Sequence, residues 1–363
     1  MKLLKKVRKI IMDQKIPVAV LGANGSVGQR FIQLLDNHPI FQVTALTGST
    51  RSEGRSYREA CHWILPEAMP AWAADLVLLP SMPDRNEWPV VFSALPADVA
   101  REVEPFFAEK GSLVCTNASA YRSAPDVPIL MPEINPEHVG LVNVQRQKRG
   151  WKGGIAANSN CTSTGLAITL KALDDAFGVR KAMVVSMQAV SGAGYPGVPS
   201  LDILGNVIPY IGGSEEEKVE SEPRKMLGRL DGDHIEPAGF ILSAQTNRVA
   251  VRDGHIVCLS VELGKKPALD EVKDALRAYQ APEISRSLPS APAKVIDLHD
   301  EMDRPQPALD SLAGKGMTTS VGRVRPDAIL DFKMVILSHN TIRGAAGGSI
   351  YNAELLAATG YLR

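Results

Sequence analysis

The sequence predicts an α/β fold in two parts: a doubly wound parallel-sheet domain, then an α+β domain built on a mixed sheet. Three observations predict it. Between Pro17 and Leu46 an apolar run, a glycine-rich turn, a helical repeat and a second apolar run follow one another, which is a βαβ unit. Further strand-like runs recur at 76–79, 90–94 and 112–115, as a doubly wound sheet requires. Beyond residue 158 the strand-like runs at 182–189, 240–243 and 256–263 are joined by long polar connections such as 214–225. That reads as helices gathered on one face of a mixed sheet. A chain of 363 residues is long enough for two cores.

The first run, 17–21, ends at Gly22-Ala23-Asn24-Gly25-Ser26-Val27-Gly28. Glycines at 22, 25 and 28 make GxxGxxG, a variant of the dinucleotide fingerprint. Alone it is weak, but it stands between a strand and a helix, where the fingerprint belongs. Glycine lets the backbone close on a pyrophosphate, and the helix N-terminus offers unpaired N–H groups. Phe31, Leu34 and Leu35 follow at helical spacing, and His38-Pro39 stops the helix. The first part is therefore Rossmann-like. The second strand, 42–46, selects the cofactor. An NAD site places Asp or Glu at its end to hold the ribose 2′-hydroxyl. Here the chain reads Ser49-Thr50-Arg51-Ser52, and the first acid is Glu53. Hydroxyls and a guanidinium suit a 2′-phosphate, so NADP is the expected cofactor. Taken alone, Arg51 and Arg55 read as solvated loop charges.

The second part opens on Asn158-Ser159-Asn160-Cys161-Thr162-Ser163, a cysteine among small polar residues. Leu166, Leu170, Leu173 and Phe177 follow as a buried helix face. A cysteine at a helix mouth feels the positive end of the macrodipole, which favours the nucleophilic thiolate. The bland alternative is an inert packed cysteine. A cysteine nucleophile needs a proton carrier. His255 follows Asp253-Gly254, which reads as a tight turn between two strands. Arg248, on the strand before that turn, suits a substrate carboxylate. Gln188 ends a strand ahead of Ser191-Gly192-Ala193-Gly194-Tyr195-Pro196-Gly197, a loop placed to cross a site or merely to connect. The run Glu215-Glu216-Glu217-Lys218 reads as a solvated helix face. Gly344 to Ser349 open a final helix.

Forty basic residues balance forty acidic ones. No global field points to nucleic acid or an anionic membrane. None of the four cysteines (Cys61, Cys115, Cys161, Cys258) forms a CxxC pair. Neither a zinc site nor a disulfide framework is indicated, and a reducing cytoplasm is the expected compartment. The basic stretch from Met1 to Met12 lacks the apolar core of a secretory signal and reads as a frayed amphipathic extension.

From Pro17 to the C-terminal helix the chain resembles the aspartate-semialdehyde dehydrogenases of archaea and fungi. The matching segments are 22–28, Val91-Phe92-Ser93-Ala94-Leu95-Pro96, 159–162, 188–204, 248–255 and 340–349. The resemblance implies NADPH-dependent reductive dephosphorylation of L-aspartyl 4-phosphate through a cysteine thioester, in lysine, threonine and methionine biosynthesis. It implies Cys161 as nucleophile, His255 as general acid/base and Gln188 as a group placing the thioacyl intermediate. Arg248 would bind the substrate α-carboxylate and Glu215 its amino group. Lys218 and Arg122, with Asn117 close by, would hold phosphate. Gly22, Asn24, Gly25, Ser26, Val27, Gly28, Ser93 and Leu95 would line the dinucleotide. Ser49, Arg51 and Ser52 would meet its 2′-phosphate, and Asn340 would sit by the nicotinamide. The implied division is 1–158, completed by 340–363, for NADP, and 159–339 for catalysis and dimerisation in a homodimer or homotetramer. Asn24, Pro199 and Gly205 depart from the Thr, Ser and Asp of the family pattern. An acyl-CoA reductase on the same fold, such as a malonyl-CoA reductase, and a non-catalytic NADP-binding protein are the alternatives.

Overall fold

A computed structural model of the chain describes residues 15–84 and 86–362. The basic stretch from Met1 to Met12 lies outside them. The first sheet contains β1 (Ile16–Leu21), β2 (Phe41–Leu46), β3 (Val90–Ser93), β4 (Leu113–Thr116) and β5 (Gly154–Ala157). Its order is β2-β1-β3-β4-β5, and every pair is parallel. These strands are nearly continuous apolar runs because both faces are covered. Val18 and Val20 face one core, with Phe31 and Ile32 of α1 (Ser26–Leu35). Ala19 and Leu21 face the other, with Ala100, Val103 and Phe107 of α2 (Ala97–Lys110). The strand order reverses between β1 and β3, which makes a crevice at their C-terminal ends.

The run 76–79 is not a strand. Leu79 bridges Thr47 and Val77 bridges Ser56 singly. Pro80 follows at once and lacks the N–H that would extend the ladder.

α3 (Leu141–Arg149) precedes β5, and α4 (Cys161–Phe177) leads into the second sheet. The strands of that sheet are β6 (Val179–Gln188), β7 (Ile208–Pro209), β10 (Ile241–Arg248), β11 (His255–Leu263), β12 (Ile296–Leu298), β13 (Thr319–Pro326) and β14 (Phe332–Ser338). Their order is β12-β13-β14-β11-β6-β10-β7. The small pair β8 (Arg229–Asp231) and β9 (His234–Glu236) stands apart. β6 pairs parallel with β10 and antiparallel with β11, so the sheet is mixed. α5 (Glu215–Met226) packs across β10, and α4 lies against the core face with Leu166, Leu170 and Leu173 fully buried.

The turn expected at Asp253-Gly254 is different in kind. β10 and β11 do not pair with each other but lie on opposite sides of β6. Residues 249–254 cross over the end of β6, and Gly254 takes φ +95° before β11 begins. The crossing brings His255 to the end of β6 rather than to a hairpin tip.

A π-turn, Ile342–Ala346, and the last helix α6 (Gly347–Ala358) return the chain to the first sheet. Ile350, Tyr351 and Leu355 join the core formed by Val18 and Phe31. The π-turn is held by Arg343, whose guanidinium meets Glu133 at 3.0 and 2.6 Å with both side chains fully buried.

Glu104 of α2 is buried at the end of β4 and accepts the Thr116 hydroxyl. Burial pushes its carboxyl up to about 7. Its folded pKa lies above the unfolded one, so its contribution is fullest at low pH and is lost as pH rises through 7. Glu104→Gln is therefore expected to gain on the wild type as pH rises from 5 to 8. The melting-temperature difference should grow by a few degrees, and a difference independent of pH would contradict the assignment.

Candidate active site

The turn after β1 is shaped by glycine. Gly22 takes φ +68°, and a Cβ there would lie 2.9 Å from the Ala94 carbonyl oxygen in the loop after β3. A Cβ at Gly28 would lie 2.3 Å from the Gly22 oxygen. Gly25 stands at the N-cap of α1 with no capping side chain. The first-turn N–H groups are thus left for an anion, as a pyrophosphate site needs. Gly25, Ser26, Val27, Leu95 and Pro96 form one end of a cleft of about 520 Å³, and Asn117, Arg122, Cys161, Gln188, Glu215, Arg248 and Asn340 line its remainder.

Not every residue expected at the cofactor faces this cleft. Ser93 is fully buried beneath it and Ala94 takes its place on the wall, because β3 is covered on both sides. Asn24 donates to the Ala60 carbonyl at 3.4 Å and braces the turn from outside the cleft. Ser49 and Arg51 are exposed in the turn after β2, beyond the cleft lining. Ser52 is buried there and its hydroxyl donates to the Ser49 carbonyl at 3.0 Å.

At the other end, Asn160 caps α4: its Oδ1 accepts the N–H groups of Thr162 and Ser163 at 2.9 and 3.2 Å. Cys161 is thereby the first helical residue, and its Sγ lies 3.3 Å from His255 Nε2. A Cβ on Gly344 would lie 2.9 Å from the Cys161 Cα and Cβ, so only glycine lets the π-turn press on the nucleophile. His255 Nδ1 accepts the Ala189 N–H at 3.1 Å. A backbone N–H can only donate, so the proton of the neutral ring belongs on Nε2, facing sulfur. The Ala189 carbonyl in turn accepts Arg248 Nη1 at 2.7 Å. The backbone of one residue, Ala189, thus fixes the imidazole tautomer through its N–H and the guanidinium through its carbonyl. Gly192 closes over them, since a Cβ there would lie 2.8 Å from Arg248 Nη1 and 3.1 Å from His255 Nε2.

Glu215 Oε1 accepts the amides of Asn160 at 2.9 Å and Gln188 at 3.1 Å. The acidic run is therefore not a solvated face. Glu216 accepts the Thr246 N–H at 2.9 Å, and only Glu217 of the three is exposed. α5 lies across the end of β10, so its first turn meets unpaired backbone donors. Lys218 is not brought to the cleft; its Nζ donates to the Gly213 carbonyl. Arg122 does line the cleft, donating to Glu222 at 3.1 Å and to the Asn117 carbonyl at 2.7 Å. Asn117 Oδ1 accepts Asn158 Nδ2 and the Ser349 hydroxyl, each at 3.2 Å. Asn340 spends its side chain as a bolt, accepting the Gly254 N–H at 2.8 Å and donating to Ser191 Oγ at 2.7 Å.

The electrostatics reverse one expectation. Burial pushes the Cys161 thiol up to about 12, Glu215 adds to the rise, and Arg122 and Arg248 oppose it. Burial, then the charges of Arg248 and His339, push His255 down to about 3. In the free protein these surroundings favour the thiol over the thiolate that the helix end alone would favour, and the neutral imidazole beside it. Alkylation of Cys161 by iodoacetamide in the free protein should rise about tenfold per pH unit from 7 to 10 without levelling. A plateau below pH 8 would contradict this.

Sequence reasoning passed over Asn160, Ala189, Gly192, Glu222 and Gly344. Asn160 had a signal, an Asn directly before a helical pattern. Ala189, Gly192 and Gly344 act through backbone, and Glu222 through partners far off in sequence, so none leaves a local trace.

The comparisons agree with this geometry. The semialdehyde dehydrogenase NAD binding domain matches residues 17–142, and the semialdehyde dehydrogenase dimerisation domain matches 170–343. An aspartate-semialdehyde dehydrogenase of Archaeoglobus fulgidus is 51% identical over 339 residues, covering 93% of this chain and 97% of that protein. One from Methanothermobacter thermautotrophicus is 47% identical, covering 94% and 99%. The crystal structure of aspartate semialdehyde dehydrogenase with NADP from Candida albicans superposes with a TM-score of 0.87 at 43% identity, covering 96% of this chain and 100% of that one. With both sheets, the glycine turn and the Cys161–His255 pair in place and relatives matching nearly end to end, the chain belongs to the aspartate-semialdehyde dehydrogenase family.

Proposed function

We propose that the chain reduces L-aspartyl 4-phosphate to L-aspartate 4-semialdehyde with NADPH, releasing phosphate, as a step of amino-acid biosynthesis. The observation that carries this reading is the Cys161–His255 pair at 3.3 Å, set between the Glu215/Arg248 end of the cleft and the glycine turn. The glycine turn fits a dinucleotide pyrophosphate, and Ser49, Arg51 and Ser52, in the turn after β2, would meet the 2′-phosphate. Of the described residues, those up to 158 together with 340–362 form the NADP-binding part, and 159–339 the catalytic and dimerisation part.

Arg248 holds the α-carboxylate and Glu215 the α-ammonium. An ammonium at Glu215 cancels the charge that helps keep the thiol protonated, while Arg122 and Arg248 favour its ionisation. Sulfur attacks the acyl carbon and a C–S bond forms; the C–O bond to phosphate breaks with its electron pair leaving on phosphate, which takes up the thiol proton as it departs. Arg122 faces the departing charge. NADPH, when bound, supplies the hydride that reduces the thioester carbon. His255 Nε2–H donates to the oxyanion that develops beside sulfur. Collapse restores a C=O group and returns the electron pair to sulfur, which the same N–H stabilises. Gln188 and Asn160 keep Glu215 in register throughout.

The unpaired face of the second sheet exposes Met183, Val185 and Ile241. It is the face a second copy covers, in a homodimer or a dimer of dimers. Among the described residues no helix is long and apolar enough to cross a membrane.

The Arg248–Glu215 combination favours an amino-acid substrate over an acyl-CoA. The direct test compares NADP+ reduction with aspartate semialdehyde plus phosphate against NADPH oxidation with malonyl-CoA. Activity on the first pair alone is expected. Activity on malonyl-CoA alone would hand the cleft to the acyl-CoA reading, and none on either would favour a binding protein.

A further inference from the structure

Glu222 lies seven residues, two helical turns, beyond Glu215 on α5, and so on the same helix face. It is buried, and both of its oxygens are taken by groups of the cleft. Oε1 accepts Arg122 Nη1 at 3.1 Å, and Oε2 accepts the backbone N–H of Asn160 at 2.5 Å. Asn160 is the cap of the nucleophile's helix, and its Nδ2 is already held by Glu215. Two carboxylates of one helix therefore grip the same cap residue, one by its backbone and one by its side chain. Glu222 alone carries the grip across to Arg122. The Arg122 Nε is buried with no partner among the described residues, so the guanidinium keeps a donor uncommitted while Glu222 and the Asn117 carbonyl fix its plane.

We propose that Glu222 is a positioning residue that sets Arg122 relative to Cys161, so that phosphate is held in line with the acyl carbon on sulfur. The proposal rests on the reading of Arg122 as a phosphate-binding group. Two donors converge on this position, and only a carboxylate offers an acceptor to each. An amide has one acceptor oxygen and would turn its NH₂ toward the other donor. The Asn160 N–H cannot yield without unwinding the cap, so Arg122 would yield instead. A shorter carboxylate would not span both donors.

The test uses Glu222→Gln, Glu222→Asp, Arg122→Ala and the double variant E222Q/R122A, in phosphate-dependent oxidation of aspartate semialdehyde with NADP+. Both Glu222 variants should lose about tenfold in kcat/KM for phosphate, the scale of a misplaced binding group, while KM for NADP+ stays within twofold. In the Arg122→Ala background the Glu222→Gln change should cost less than twofold, because the group it positions is gone. The proposal is overturned if both Glu222 variants stay within twofold of wild type, or if the full loss persists without Arg122. A wild-type protein that shows no phosphate-dependent turnover would instead remove the functional reading beneath it.

Discussion

Replacing Cys161 with alanine is expected to lower turnover by at least about 10⁴-fold, the scale seen when a covalent nucleophile is removed. The loss falls on chemistry alone. The glycine turn proposed to hold NADP, at Gly25, Ser26 and Val27, lines the other end of the cleft, so the NADP dissociation constant should stay within about twofold. A serine in the same place should recover little. Its hydroxyl ionises less readily than the thiol, and the surroundings already press the thiol up to about 12. Steady-state assays with equilibrium titration of NADP check both halves. Near-normal turnover in the alanine variant would mean that no acyl group passes through sulfur.

The second large effect is expected at Arg248. Arg248→Met keeps the length of the side chain and removes the charge. The guanidinium is buried, donates to the Ala189 carbonyl at 2.7 Å and lines the cleft beside Glu215. Losing a buried charge partner for the α-carboxylate should cut kcat/KM for aspartate semialdehyde by about 10²- to 10³-fold. KM for NADP+ should barely change. The removal also acts on His255, because the Arg248 charge helps hold that imidazole neutral. The variant's pH profile should therefore show the imidazole titrating at higher pH than in the wild type. A loss smaller than about tenfold would mean that the carboxylate is bound elsewhere.

The elements legible in the sequence are those whose surroundings are simple. β1 and β3 are buried on both faces, so they read as plain apolar runs, and α4 shows its buried face at helical spacing. β5 is Gly-Ile-Ala-Ala, too short and too small to stand out. β13 carries Gly322 and two arginines inside a strand, and its pattern is broken by the side chains that reach out of the core. The connection from β10 to β11 was misread because Asp-Gly marks a tight turn locally, whereas pairing with β6 on both sides is a long-range event.

The site divides in the same way. Cys161, His255 and Arg248 carry their chemistry in their residue types, Gln188 came with the resemblance, and the structure brings the four together. Ser93 and Lys218 came with the resemblance and turned away, one under the sheet and one to its own loop. The charge run at 215 was misjudged from composition, since its direction depends on where α5 crosses β10. The raised thiol pKa was equally out of reach. A helix end is visible in a sequence, but the burial and the Glu215 charge that outweigh it are not.

The central claim is that the acyl group passes through the sulfur of Cys161. The most direct measurement is peptide mass mapping of the protein quenched after mixing with aspartate semialdehyde and NADP+ in the absence of phosphate. An aspartyl group on the peptide containing Cys161, discharged when phosphate is added, is the predicted result. Steady turnover with that peptide unmodified, or an adduct confined to Cys61, Cys115 or Cys258, would contradict the account.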